Sequence, residues 1–111
     1  MMTDTPTAYT TGSWQPDPGH EDAFLDAWQD FANWSCQMPG AHLAVLARDL
    51  RDPNRFVSLM AWDTLEDIRA WKRSPEFKPH MAHVQEHIDR FAPTELDVVA
   101  TAVHEYARDT V

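Results

Sequence analysis

The sequence predicts an α+β domain of the ferredoxin-like type, with the element order strand, helix, strand, strand, helix pair, strand. Three observations support this prediction: apolar residues recur at helical spacing in two regions, strand-like segments separate them, and the length of 111 residues suits one domain. This βαββαβ order forms a four-stranded antiparallel sheet with its helices on one face. We assign residues 8–106 to the domain, and residues 1–7 and 107–111 to terminal tails.

The first strand and helix are predicted from composition and spacing. Residues 8–15 are rich in threonine and aromatic residues, which favour strands. Asp17 is predicted to cap a helix whose first residue is Pro18, where the missing N–H costs nothing. The segment 38–40 ends this helix. Its apolar face follows helical spacing through Phe24, Leu25, Trp28, Phe31 and Ala32.

Two strands are predicted for residues 41–50 and 55–62, with a turn at residues 51–54. The second of these strands is apolar on both faces, through Phe56, Met60 and Trp62 on one face and Val57, Leu59 and Ala61 on the other. A strand of this kind is covered on both sides. Because the helices cover only one face of the sheet, we expect a second copy of the chain to cover the other, which gives a homodimer.

The C-terminal half is predicted to hold two helices and a last strand. Asp63 or Thr64 caps the first helix, and Ser74 followed by Pro75 begins the second. Pro93 ends the second helix, and residues 94–106 form the strand. The core stripe of the second helix is predicted to comprise Phe77, Met81, Val84, Ile88 and Phe91.

Charge and cysteine content exclude several function classes. Eighteen acidic against nine basic residues give a formal charge of −9, which disfavours nucleic acid and anionic membranes as partners. No apolar run reaches 18 residues, so no transmembrane helix is expected. Residues 1–7 lack the pattern of a secretory signal, and Cys36 has no second cysteine to pair with. We therefore expect a cytoplasmic protein.

The chain resembles the antibiotic biosynthesis monooxygenase family over roughly residues 9–102. The resemblance lies in Phe-Val-Ser-Leu-Met-Ala-Trp at 56–62, in Ile-Arg-Ala-Trp-Lys-Arg-Ser-Pro-Glu-Phe at 68–77, in Pro39-Gly40 and in the histidines of the last helix. It implies a dimeric α/β barrel in which two ferredoxin-like units join their sheets. It also implies an enzyme of secondary metabolism, since the family includes cofactor-independent oxygenases of aromatic polyketides as well as heme-degrading monooxygenases.

Each branch of the family matches this chain in part. The polyketide oxygenases carry an asparagine four residues before the tryptophan that ends the third strand. Trp62 matches that tryptophan, whereas Ser58 stands at the asparagine position. Serine keeps one hydrogen-bond donor but lacks the second donor of the amide. The resemblance therefore implies catalytic roles for Trp62 and Ser58.

The heme-degrading branch combines a strand asparagine, a helix tryptophan and a heme-ligating histidine. Trp71 matches the tryptophan, but the asparagine position falls at or near Gly12 and the histidine position falls at Met81. His80 and His83 are close neighbours of Met81. A ligand one residue away is rotated by about 100° around a helix, which makes heme degradation the weaker alternative. No cofactor is therefore predicted, with heme kept as an alternative.

Three histidines of the last predicted helix, His80, His83 and His87, are spaced three and four residues apart and share a face. One interpretation is a row of half-exposed surface histidines. A second gives one or two of them to a pocket, where His80, His83 or His87 is the candidate base because imidazole titrates near neutrality. A third is a metal or heme site. No metal site is predicted, since Glu86 is expected to point elsewhere on the helix.

The aromatic residues predict a pocket for a planar ligand. Trp62 and Trp71 are expected to flank the space between sheet and helices, although both would also suit an ordinary core. The remaining candidates for substrate binding are Tyr9, Phe24, Trp28, Phe77, Met81 and His87.

Three functions remain open from the sequence. The first is a cofactor-free monooxygenase or related tailoring enzyme, in which an aromatic substrate becomes a phenolate or enolate and reacts directly with dioxygen. The second is binding or degradation of heme through a histidine of the last helix. The third is a dimeric small-molecule-binding protein without catalysis.

Overall fold

The computed structural model describes residues 5–104. Within this range the chain forms a four-stranded antiparallel sheet in the order β2-β3-β1-β4, with three helices. The elements are β1 (Ala8–Pro16), α1 (Glu21–Ser35), β2 (Ala41–Arg48), β3 (Phe56–Trp62), α2 (Leu65–Arg73), α3 (Phe77–Gln85) and β4 (Ile88–Asp97). The predicted ferredoxin-like α+β fold is confirmed.

The core lies between the sheet and the helices, and the period of each element explains why. Alternate residues of β1 are buried, from Ala8 to Trp14, because successive side chains of a strand point to opposite faces. In α1, the apolar positions fall on one face and are buried, among them Phe24, Trp28 and Phe31. The helices therefore cover one face of the sheet only.

The first helix begins later than predicted. It starts at Glu21 with His20 as the N-cap, and not at Pro18 after an Asp17 cap. The Asp17 N–H donates to the carbonyl of His87, and the His20 N–H donates to the carbonyl of Asp17. The segment before Glu21 is therefore a turn tied to the end of α3, which supersedes the cap expected from the local sequence.

The boundary between the last helix and the last strand is wrong in the prediction. The helix α3 ends at Gln85, and Ile88, Phe91 and Pro93 all belong to β4. The apolar spacing could not reveal this, because the strand forms by pairing with β1, a segment distant along the chain, which places Phe91 opposite Trp14. Pro93 is tolerated because β4 is an edge strand.

Three smaller boundaries also differ. The strand β2 ends at Arg48, and β4 ends at Asp97, so that residues 98–104 have no regular structure. The last two residues of the predicted strand, 105 and 106, lie outside the described residues. Ser74 ends α2, and Glu76 is the N-cap of α3. Of the two predicted caps, Asp63 and Thr64, the structure has Thr64, whose hydroxyl accepts a hydrogen bond from the Asp67 N–H at 3.2 Å.

The face of the sheet opposite the helices carries large apolar side chains. On β2, β3 and β4, Leu43 is 58% exposed, Val45 44%, Leu59 41% and Leu96 48%. Their register places Val45 opposite Leu59 and Leu43 opposite Ala61. Leu43, Val45 and Leu59 lie on the paired strands β2 and β3, and Leu96 lies on the same face on the far side of β1; we call this face the open sheet face. No helix within residues 5–104 is long and apolar enough to cross a membrane.

Candidate functional site

A cavity of about 290 Å³ lies between the sheet and the helices. All four strands and all three helices contribute to its walls. Of residues 5–104, six aromatic residues line it: Trp14, Trp28, Phe31, Trp71, Phe77 and Phe91. Hydroxyl-bearing and charged side chains are few among its lining residues, and they include Thr10, Ser58 and Lys72. A concave apolar space with a few placed polar groups is the usual form of a small-molecule site.

Ser58 lies in the cavity wall, and its hydroxyl is oriented by Trp14. The indole Nε1 of Trp14 donates to Oγ of Ser58 at 2.9 Å, and the Trp14 side chain is only 2% exposed. Trp14 is itself held by Phe91, whose ring stacks on it at 4.1 Å between centroids. Because the indole occupies one acceptor position of Oγ, the hydroxyl hydrogen of Ser58 is left to donate elsewhere.

Thr10 has a similar arrangement with Trp62. The indole Nε1 of Trp62 donates to Oγ1 of Thr10 at 3.2 Å, in a fully buried environment. Trp62 is not among the residues that line the cavity, whereas Thr10 is. Thr10 therefore lies between Trp62 and the cavity, and Trp62 acts on the cavity through its hydrogen bond to the Thr10 hydroxyl.

Trp71 lines the cavity with its ring while its polar end is buried in the core. Its Nε1 donates to Oγ of Ser35 at 2.9 Å, and Ser35 is completely buried. The Trp71 ring packs edge to face on Phe77 at 4.9 Å and lies 5.0 Å from the ring of Trp62. These contacts fix the plane that the indole presents to the cavity.

The sequence-predicted residues divide into two groups. The structure brings Ser58, Trp71, Met81, Phe77 and Trp28 together in the cavity lining. It does not bring Trp62, Phe24 or Tyr9 there: Phe24 is a fully buried core residue, and Tyr9 lies on the strand face that alternates with Thr10.

None of the predicted histidines is among the cavity-lining residues. The ring of His80 stacks on Trp34 at 4.5 Å, and its Nδ1 lies 2.9 Å from the carbonyl of Glu76. His83 and His87 lie near each other at the end of α3, with ring centroids 6.0 Å apart. The expectation that Glu86 points away from them is wrong, because potential ligand atoms of His83, Glu86 and His87 lie within 4.8 Å of one another. Glu86 is the C-cap of α3 and keeps αR backbone angles, so it lies three residues after His83 on the same side of the helical turn.

Sequence reasoning missed the charged group of the cavity. Lys72 lines it, and its Nζ forms an ion pair with Glu95 at 2.6 Å, with both side chains 39% exposed. Thr10 and Phe91 were also missed as lining residues. Phe91 was assigned to a helix, and the only signal for Thr10 was its strand position on the same face as Trp14.

The residues at the positions used by the heme-degrading branch do not fit a heme site. A Cβ atom added to Gly12 would come within 2.7 Å of Trp14 Nε1 and 2.9 Å of Ser58 Oγ, so this position has no room for an asparagine without breaking the pair. Met81 lies in the cavity lining where a histidine ligand would be needed. We therefore derive no step through heme.

The groups with perturbed pKa values lie outside the cavity lining. A hydrogen bond from Arg48 lowers the pKa of Glu21, and the same pair raises the pKa of Arg48. Desolvation raises the pKa of the Cys36 thiol, which makes the reactive thiolate scarcer although the residue is exposed. Among the cavity-lining residues of the described range 5–104, Lys72 alone carries a strongly ionising side chain.

Residues 8–83 of the chain match the family model described as antibiotic biosynthesis monooxygenase. This match spans the first three strands, α1, α2 and most of α3, and so includes most of the cavity. No curated protein matches the chain significantly.

Several solved structures share the fold. SnoaB of Streptomyces nogalater, a cofactor-independent oxygenase, has a TM-score of 0.77 at 16% identity, and the match covers 87% of this chain and 97% of SnoaB. A candidate antibiotic biosynthesis monooxygenase of Bordetella bronchiseptica has a TM-score of 0.74 at 18% identity, covering 86% of this chain and 100% of that one. At these identities the likeness establishes the fold.

Proposed function

Because the chain belongs to the antibiotic biosynthesis monooxygenase family, we propose that it is a cofactor-independent monooxygenase, or a related tailoring enzyme, of a planar aromatic, polyketide-like molecule. The observation that carries this proposal is the aromatic cavity with two oriented hydroxyl groups, those of Thr10 and Ser58. Aromatic walls select a flat apolar ligand, and the hydroxyls fix its orientation.

The proposed chemistry takes its electrons from the substrate. Loss of a proton from an activated CH2 group gives a carbanion stabilised as an enolate or phenolate, and its carbon forms a bond to dioxygen. The resulting hydroperoxide loses the second hydrogen of that carbon as a proton and its outer oxygen as hydroxide, which together form water. The CH2 group and O2 thus become C=O and H2O, without an external reductant.

In this scheme the hydroxyls of Thr10 and Ser58 stabilise the substrate oxyanion. An indole donates to each hydroxyl oxygen, so each hydroxyl retains a hydrogen to donate into the cavity. Preorganised donors in a water-poor site act most strongly where negative charge develops. The Lys72 ammonium favours the anionic form of the substrate over the neutral one, in competition with its ion pair to Glu95.

The histidines do not supply the base in this proposal. His80 stacks on Trp34, and neither His83 nor His87 lines the cavity. We assign proton loss to the substrate's own acidity, increased by Lys72 and the hydroxyl donors, with water accepting the proton. Removal of His80 or His83 is therefore expected to leave turnover within about twofold of the original.

The test is oxygen uptake with an anthrone as the probe substrate. Ser58→Ala should lower kcat about 10- to 100-fold, below the loss of up to about 1000-fold seen for a single oxyanion donor, because Thr10 remains. Lys72→Met should lower kcat/KM, whereas the exposed Lys78→Met on α3 serves as the matched charge control. Tight anthrone binding with no oxygen uptake would refute oxygenation and support a small-molecule-binding protein.

A hemin titration followed at the Soret band tests the heme alternative. We expect weak binding that His80→Ala and His83→Ala do not change. A saturable shift that either substitution abolishes would contradict the cofactor-independent proposal.

We further propose that the protein is a homodimer through the open sheet face. The four large apolar residues there leave a face of the sheet uncovered in a single chain, and covering it would stabilise the protein. Sedimentation velocity should give a dimer that Leu59→Lys converts to monomer. Leu50→Lys is the control, because Leu50 is 95% exposed in the loop after β2. A monomeric original protein would refute this assembly.

A further inference from the structure

A cluster of imidazole and carboxylate groups lies at the end of α3, outside the cavity lining. Potential ligand atoms of His83, Glu86 and His87 are all within 4.8 Å of one another. His83 and Glu86 are exposed and His87 is half-buried, so a hydrated ion can reach them. None of the three takes part in the proposed oxygenation.

The backbone holds these residues in place. Glu86 and His87 are three and four residues after His83, which brings side chains together over one helical turn. The Glu86 N–H donates to the carbonyl of Ala82 at 3.1 Å, and the His87 N–H donates to that of Val84 at 3.1 Å. The turn therefore continues past the end of α3 with defined hydrogen bonds, so the three side chains start from fixed backbone positions.

A fourth residue, His20 at the start of α1, supports this cluster. Its Nδ1 lies 3.4 Å from Nδ1 of His87, and the loop before it is tied to His87 by the Asp17 N–H, which donates to the His87 carbonyl at 2.9 Å. In the tautomer that donates from Nδ1 of His87 to His20, Nε2 of His87 keeps its lone pair. Metal-ligating histidines characteristically have their other ring nitrogen hydrogen-bonded in this way.

We propose that His83, Glu86 and His87 bind one divalent transition-metal ion, and that His20 positions the ring of His87. Two imidazoles and one carboxylate form a ligand set that suits Zn²⁺ and leaves a coordination position open to water. Mg²⁺ and Ca²⁺ prefer oxygen ligands and fit it poorly. The formal charge of −9 favours a cation at the surface.

The test is calorimetric titration of Zn²⁺ into untagged protein that has been stripped of metal with a chelator. We expect one ion per chain. His83→Ala, His87→Ala and the isosteric Glu86→Gln should each raise Kd by more than tenfold. His20→Ala should raise Kd by about tenfold, in the range measured for residues that orient a ligating histidine.

His80→Ala is the matched control, because His80 lies one turn earlier on the same helix and stacks on Trp34 instead. It should leave Kd unchanged, and circular dichroism should confirm that each variant remains folded. The proposal is overturned if Zn²⁺ binding does not saturate at one ion, or if His80→Ala weakens binding as much as His83→Ala does. Mg²⁺ at the same concentrations should give no saturable heat, and tighter binding of Mg²⁺ than of Zn²⁺ would also overturn the proposal.

Discussion

The hydrogen bond from Trp14 to Ser58 can be tested by a double-mutant cycle. The bond joins a buried indole to a hydroxyl in the cavity wall, at 2.9 Å. Ser58→Ala leaves the indole N–H without this acceptor, in a side chain that is 2% exposed. An unsatisfied buried donor costs about 1–3 kcal/mol, so we expect Ser58→Ala to lower the free energy of unfolding by that amount.

Trp14→Phe removes the donor and part of the packing against Phe91. We expect it to cost about 1–3 kcal/mol, mostly from the smaller ring in a filled core. Once the donor is absent, Ser58→Ala no longer leaves a buried group unpaired. The double variant should therefore be more stable than the sum of the two losses predicts, by about 1 kcal/mol.

The free energies of unfolding are measured by urea denaturation followed by far-UV circular dichroism, which does not depend on the tryptophan signal. Equal m-values across the four proteins would show that the same surface is exposed on unfolding. If the two single losses add to the loss of the double variant within about 0.3 kcal/mol, the Trp14–Ser58 hydrogen bond contributes no measurable interaction free energy. The orientation of the Ser58 hydroxyl, and its part in the proposed oxyanion site, would then lose their physical basis.

Two further predictions concern stability. Gly40 and Gly19 have φ angles of +85° and +82°, but an added Cβ meets the Asp67 carboxylate only at Gly40. Gly19→Ala should therefore lower the free energy of unfolding by about 1–2 kcal/mol, and Gly40→Ala should lower it by at least about 1 kcal/mol more. Equal melting temperatures for the two variants would contradict this prediction. Trp71→Phe should lower the free energy of unfolding by about 1–3 kcal/mol, because the buried Ser35 hydroxyl loses its hydrogen-bond donor. Adding Ser35→Ala to Trp71→Phe should restore part of this loss in urea denaturation; if it restores none, the lost hydrogen bond is not the cause of the destabilisation.

Much of the fold follows from local patterns in the sequence. The apolar spacing in α1 and the Thr64 cap of α2 are set by neighbours along the chain, and both were predicted. The end of α3 was not, because the spacing of Val84, Ile88 and Phe91 suits a helix as well as a turn followed by a strand. The choice is made by pairing with β1, a contact between segments about 75 residues apart along the chain that no local pattern records.

The candidate site could be predicted only in part for a related reason. Ser58, Trp71 and Met81 were found because the family resemblance or their element placed them near the cavity. Thr10 and Lys72 were missed, because their importance depends on partners that are distant along the chain. The Trp62 indole donates to the Thr10 hydroxyl, and Glu95 forms an ion pair with Lys72. Such partners become visible only once strand register is known.

The hydroxyl at Ser58 and the absence of a side chain at Gly12 belong to one packing arrangement. An added Cβ at Gly12 would contact both Trp14 Nε1 and Ser58 Oγ, so the glycine is required for the indole to reach the serine. An asparagine at position 12 would displace the indole and release the hydroxyl. The same substitution that would approach the heme-degrading pattern would therefore disturb the hydrogen bond that orients the Ser58 hydroxyl of the oxyanion site proposed here.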